Sequence, residues 1–168
     1  MIKVSPNVTP VSQPTAAACW YACFRMLFQW KYDKGDKSKD PDKIIDMLDK
    51  SPILYPREMK DSWGIDAHGE CREAARYLGL RATGDGDLPA SSMEDVLQKY
   101  GPVWVAGNWG QGNHVIVVTA CDASSGQIRF INPYQNFSLT DTPGTMSWLN
   151  ARGDLWRSCD ASVQYWPN

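Results

Sequence analysis

From Trp20 onward the apolar side chains Trp20, Cys23, Phe24, Leu27 and Phe28 fall at i, i+3, i+4, i+7 and i+8, one face of a helix. The spacing predicts a helix from about Thr15, after an extended lead-in over residues 1–14 marked by Pro6, Pro10 and Pro14. "DKGDKSKD" (33–40) is a solvated charged loop. Asp40-Pro41 then reads as an N-cap followed by proline at the first helical position, opening a short helix through Leu48. "GECREAARYLGL" (69–80) predicts a third helix stopped near Gly79. "SSMEDVLQKYG" predicts a fourth, with Ser91 and Glu94 spaced as a capping box and Gly101 as its stop.

After Gly101 the period changes from 3.6 to 2. "PVWVAG", "NHVIVVTAC", "QIRFIN" and "ASVQYW" are β-branched and aromatic runs separated by turn residues, among them "DASSG" at 122–126. Helices first and strands later is the α+β pattern with segregated layers. At 168 residues the chain has the length of one domain, 1–168, with a helical half over about 1–100 and a β half over about 101–168.

Composition removes several function classes. The 17 basic and 19 acidic residues are mixed along the chain, with no basic stripe for nucleic acid. The longest strongly apolar run, "VIVVTAC", is too short to span a bilayer, and the start "MIKVSPNVTPV" lacks the apolar core of a secretory signal. A chain without a leader is expected to be cytoplasmic, or to be carried elsewhere as part of a larger protein. Five cysteines (19, 23, 71, 121, 159) are an odd number without framework spacing, which points to reduced thiols with at most two pairs able to form. CxxC and clustered Cys/His spacings are missing, so no metal and no cofactor is implied.

The thiols bear on chemistry through position. Cys19 falls in the first turn or so of the predicted helix, where unpaired N–H groups and the macrodipole favour an anion. A thiolate is the reactive form of cysteine, and a helix N-terminus beside an imidazolium lowers its pKa. Position alone divides Cys19 evenly between nucleophile and core cysteine; Cys23, one turn deeper on the apolar stripe, reads as a small buried hydrophobe. A nucleophile needs a base, and the chain has two histidines. His114 opens the strand "HVIVVTAC" after the glycine-rich "GNWGQGN", whereas His68 in "DAHGE" reads as a solvated loop residue. If "HVIVVTACD" and "QIRFINP" pair as an antiparallel hairpin, Asn132 at the end of one strand lies beside His114 at the start of the other, where it can orient the imidazole. Without the hairpin, Asn132 is an ordinary Asn-Pro turn residue. Gln13, six residues before Cys19, carries an amide that could face an oxyanion beside the Cys19 N–H, or is merely a polar loop residue.

Together these windows resemble the papain-like cysteine peptidases. "QPTAAACW" is similar to their active-site segment, glutamine, five residues, then cysteine and tryptophan opening the central helix. "NHVIVV" is similar to their histidine strand, and "INPY" stands where the residue that orients the histidine is found. The short interval from Cys19 to His114 resembles the small bacterial branch, with its bacteriocin-leader peptidases and secreted effector proteases. The resemblance implies a papain-like fold, with a central active-site helix packed on an antiparallel sheet. It also implies Cys19 as nucleophile, His114 as base and later acid, Asn132 as orienting residue and Gln13 in the oxyanion hole. Asn132 departs from the pattern, since many relatives in the small branch carry aspartate there. Trp20, beside the nucleophile, and Trp109, glycine-flanked just before His114, are the candidate substrate contacts, with Trp109 a possible lid.

The expected reaction is hydrolysis of peptide bonds in a polypeptide substrate. The lack of a prodomain suggests an effector or toxin domain acting on a protein of a target cell, held in check by a cognate immunity protein. The same site could instead deamidate or transamidate glutamine or cleave cell-wall amides, although the Asp-Cys-Ser/Gly context of the cell-wall peptidases is missing. From a different class, eight tryptophans and seven tyrosines could line the groove of a catalytically silent binding module. "RGD" at 152–154 is read as an ordinary turn.

Overall fold

The computed structural model describes residues 1–84, 87–109, 112–134, 141–153 and 161–168. Cys159 and Asp154 of the "RGD" triplet lie outside these residues. Of the described cysteines, Cys19, Cys23 and Cys121 are free thiols.

The architecture is α+β, a helical first half around a central helix and an antiparallel sheet built mostly from the second half. The strands are β1 (Ile2–Lys3), β2 (Arg81–Thr83), β3 (Val103–Asn108), β4 (Asn113–Cys121), β5 (Gln127–Ile131), β6 (Thr142–Thr145) and β7 (Val163–Tyr165). Their order is β2-β7-β3-β4-β5-β6, every pairing is antiparallel, and β1 lies along β4 beyond the start of β3. Two strands come from the helical half. The lead-in is not free chain: β1 pairs Ile2 with Cys121 and Lys3 with Ala120. Among the described residues no helix is long and apolar enough to cross a membrane.

The central helix, α1, runs Cys19–Asp33. It starts later than the period suggests, because residues 15–18 form a turn (Ala18 N–H to Thr15 O, 3.2 Å) anchored where the Thr15 hydroxyl donates to Lys60 O. The expected stripe is buried, and so are Cys19, Ala22, Met26 and Trp30, because α1 is enclosed on more than one side. Phe24 stacks on Trp104 of β3 with centroids 5.1 Å apart and planes 7° apart. Three indole N–H groups are satisfied by main-chain carbonyls, Trp104 on Trp20 O (3.2 Å), Trp166 on Leu27 O (3.3 Å) and Trp30 on Pro6 O (2.8 Å). These aromatics thereby bury area and also fix the helix against the sheet.

Around α1 sit a 3₁₀ turn (Pro41–Lys43) leading into α2 (Ile44–Leu48), and α3 (Pro56–Glu58), which passes into a π turn (Met59–Trp63). The remaining helices are α4 (Glu70–Leu78), α5 (Ala90–Tyr100) and α6 (Met146–Arg152). Asp40 caps as expected, accepting from Asp42 N–H at 2.9 Å, and Gly79 closes α4 in the left-handed region. The capping box does not form. Ser91 lies inside the first turn of α5, and Glu94 accepts from Ala123 N–H at 3.0 Å in the β4–β5 turn, a distant donor that outcompetes the local one.

Gly101 ends α5 at φ +96°, and a Cβ there would lie 2.3 Å from the buried Trp30 ring. Gly101→Ala is therefore expected to cost about 2–4 kcal/mol, from left-handed strain plus overpacking. A urea unfolding midpoint equal to that of the parent, at unchanged slope, would contradict this.

Candidate active site

Cys19 opens α1. Its N-cap, Ala18, provides no side-chain cap and no acid occupies the first turn, so backbone N–H groups there stay available. The Cys19 and Trp20 N–H groups both act on Sγ, as does the N–H of Val115 on β4. The other side of the Val115 residue is also engaged: its carbonyl accepts from the Cys23 thiol at 3.4 Å. Sheet geometry explains why these groups are free. Ala106, the partner of Val115 on β3, gives its N–H to Ser162 O, so the polar groups of the pair point away from each other. On the far side β5 ends at Ile131, opposite Val117, which leaves a notch that the first turn of α1 fills.

His114 stands at that notch. Cys19 and His114 line one cavity of about 270 Å³, walled further by Ala16, Trp63, Gly64 and Ile65. His114 Nε2 lies 2.7 Å from Asn132 Oδ1. The same oxygen accepts from Tyr134 N–H at 3.0 Å, which identifies it as the acceptor. It follows that Nε2 donates, and in the neutral ring Nδ1 is the atom left with a lone pair.

The hairpin places Asn132 as expected, with one feature the hairpin alone does not supply. A bulge shifts the β4–β5 register between Val118 and Ala120, from Ala120↔Arg129 to Val118↔Phe130. Continuing the shifted register sets Asn132 opposite Ile116, on the same face as His114. Unshifted, Asn132 would oppose Val117 and point to the other face.

Gln13 is brought to the site. It is 2% exposed, its N–H donates to Pro133 O (2.8 Å), and it lines a second cavity of about 460 Å³ with His114, Asn132, Trp109 and Tyr134. Its amide Nε2 donates to Thr15 O (2.9 Å) and Ala16 O (3.2 Å), so both hydrogens are turned to its own loop. Trp109 is half-buried and meets the His114 ring edge to face, 5.8 Å between centroids. Trp20 is a correction. It is fully buried against Tyr21 and Phe24 and cannot touch a substrate.

Three contributors escaped the sequence reading. Tyr134 sits edge-on to His114 at 6.4 Å and is 39% exposed. Its two-residue spacing from Asn132 was the available signal. Trp63, the last residue of the π turn, and Gly64 after it wall the Cys19 cavity, and nothing in their local pattern marks them. His68 is exposed, its backbone N–H bonded to Asp66. Among the described residues no group of three or more His, Cys, Asp or Glu could hold a metal ion.

Electrostatically the site is drier than its position on a helix suggests. Burial pushes the Cys19 thiol up to about 11, opposed by the three backbone N–H groups, where the helix terminus alone predicted a lowered value. Burial also holds His114 below the ordinary imidazole value, opposed by the bond to Asn132. At neutral pH these directions leave a neutral thiol facing a neutral ring that can accept its proton.

A thiol at a helix N-terminus beside a ring whose distal nitrogen is tied to an amide defines a papain-like thiol hydrolase. The chain belongs to the family described as papain-like cysteine protease AvrRpt2, whose profile matches residues 3–152, and it is a cysteine peptidase. The fold is shared with a C39-like peptidase from Bacillus anthracis (14% identity, TM-score 0.60, 99% of this chain and 98% of that one). It is shared also with the peptidase domain of Streptococcus ComA, a bi-functional ABC transporter involved in quorum sensing (15% identity, TM-score 0.57, 95% and 97%). No curated protein matches the chain.

Because the Asn132 bond favours the imidazolium, Asn132→Leu should move the His114 titration further down. With only His68 as a second imidazole, NMR resolves the two. An upward move would show that the amide does not support the cation.

Proposed function

We propose that the protein hydrolyses peptide bonds with Cys19 as nucleophile, His114 as base and acid, and Asn132 as the residue that orients His114. The observation carrying this is the shared Cys19–His114 cavity, with Nε2 donating to Asn132 and Nδ1 left to accept a proton. As a scissile carbonyl enters, the thiol proton passes to Nδ1 while Sγ bonds to the carbonyl carbon. The oxyanion is received by the Cys19 N–H and by Gln13, whose amide turns one hydrogen away from the longer of its two loop bonds, that to Ala16 O. The imidazolium then protonates the departing amine as the C–N bond breaks. Water, deprotonated by His114, attacks the thioester and restores the thiol. Asn132 keeps Nε2–H engaged throughout, so that the ring presents Nδ1 in every step.

Trp109 and Tyr134, both edge-on to His114 and lining the same cavity, form the wall against which the substrate chain lies. Action on a protein of a target cell, with a cognate inhibitor in the producer, belongs to the same proposal.

Cys19→Ala should fold and lose at least about 10³-fold in cleavage, and Gln13→Ala about 10- to 100-fold, mostly in kcat. The check is to incubate each variant with a target-cell proteome, sequence the new termini, and record intact masses. Equal cleavage by Cys19→Ala would sink the proposal. A gain of about one mass unit without fragments would turn the same site to deamidation.

A further inference from the structure

The histidine is braced from a part of the molecule remote in sequence from both catalytic windows. Helix α6 begins after Thr145, whose hydroxyl caps it by accepting from Trp148 N–H at 3.1 Å. On this helix Trp148 stacks on Phe130 of β5, 5.0 Å between centroids and 16° between planes. It meets Trp109 edge to face at 5.7 Å and 89°, and Trp109 meets His114 at 5.8 Å and 79°. The Arg152 guanidinium lies over the Trp148 ring, 5.7 Å from its centroid. Beneath them Gly107, paired with His114 across β3–β4, has no room for a side chain: a Cβ would fall 2.3 Å from Trp109 and 2.6 Å from Arg152 O. Trp109 is thus clamped between a bare strand and Trp148.

A brace of this kind has something to do. The bond from Nε2 to Asn132 resists rotation of the imidazole about Cβ–Cγ only weakly, because Nε2 lies close to that axis while Nδ1 swings with it. Aromatic edges near the ring remove the swing. Tyr134 is 39% exposed, whereas Trp109 is half-buried and backed by Trp148, so the Trp109 side is the rigid one.

We propose that Trp148 is a positioning residue for the reaction: stacked on Phe130, it holds Trp109 against His114 and so keeps the imidazole aligned between Asn132 and Cys19. The inference rests on His114 being the base, but its effect on the ring is measurable without catalysis. Losing the brace misplaces a proton-transfer group by a fraction of a bond length, and displacements of that order cost rate more than binding.

The test compares Trp148→Ala and Trp148→Leu with Trp148→Phe, which keeps a flat ring over Phe130. Activity is read on a peptide spanning a cleavage site found by terminal mapping. His114 is read by NMR, with His68→Gln to assign it. In the Ala and Leu variants kcat should fall about 10- to 100-fold with KM within about 3-fold. The His114 carbon-bound protons should lose their ring-current shift, and the Nε2–H signal should broaden through exchange. Trp148→Phe should stay within about 3-fold of the parent on all readouts. Should Trp148→Ala fail to fold, Trp148→Leu carries the comparison. A folded Leu or Ala variant with parental kcat and parental His114 signals would overturn the proposal. A collapse of Trp148→Phe equal to that of Trp148→Ala would do so as well. Activity retained by Cys19→Ala would instead overturn the Cys-His reading, and the NMR comparison would still decide whether Trp148 holds the ring.

Discussion

The backbone of Val115 is where the two layers of this molecule meet. Its N–H favours charge on the Cys19 sulfur and its carbonyl receives the Cys23 thiol, so the first two turns of α1 both meet one residue of β4. The contact exists because β5 stops at Ile131 and leaves that stretch of β4 without a strand neighbour. A buried strand edge without partners is costly. Here the edge is covered by the start of a helix, and covering it brings the sulfur of Cys19 next to the residue that follows His114.

Much of the surrounding structure serves that junction. The indole of Trp104 bonds the Trp20 carbonyl and its face stacks on Phe24, which fixes how far along the sheet α1 can slide. Gln13 N–H on Pro133 O ties the segment before α1 to the corner that carries Asn132. Thr15 ties the same segment to the π turn that ends at Trp63, just before Gly64. Three stretches distant in sequence therefore converge through bonds that each end on a main-chain carbonyl.

The dryness of the junction also shapes its chemistry. Burial disfavours both the thiolate and the imidazolium, while the N–H groups on Sγ and the amide behind His114 favour them. The resting pair stays neutral, yet the charged pair has partners already in place. A site of this kind spends little on reorganisation when a carbonyl arrives, because the dipoles are fixed by the fold.

The amino-acid order by itself marked the central helix, three further helices and four of the strands, and it singled out the windows around Cys19, His114 and Asn132. The period of Trp20, Cys23, Phe24, Leu27 and Phe28 marked α1, the alternating runs marked the strands, and the turn "DASSG" between two of them placed Asn132 near His114. With only two histidines, the search for a base was short. Local rules were enough there because each depends on neighbours along the chain. Elsewhere they misled. Ser91 and Glu94 have capping spacing but Glu94 serves a turn 29 residues away, and Trp20 sits beside Cys19 in sequence yet faces the core. Tertiary structure alone decided the bulge at Val118–Ala120, the burial that sets both pKa directions, and the meeting of Trp148, Trp109 and His114. Each of these depends on register and enclosure, which arise only when segments far apart in sequence are packed against one another, and no local period encodes them.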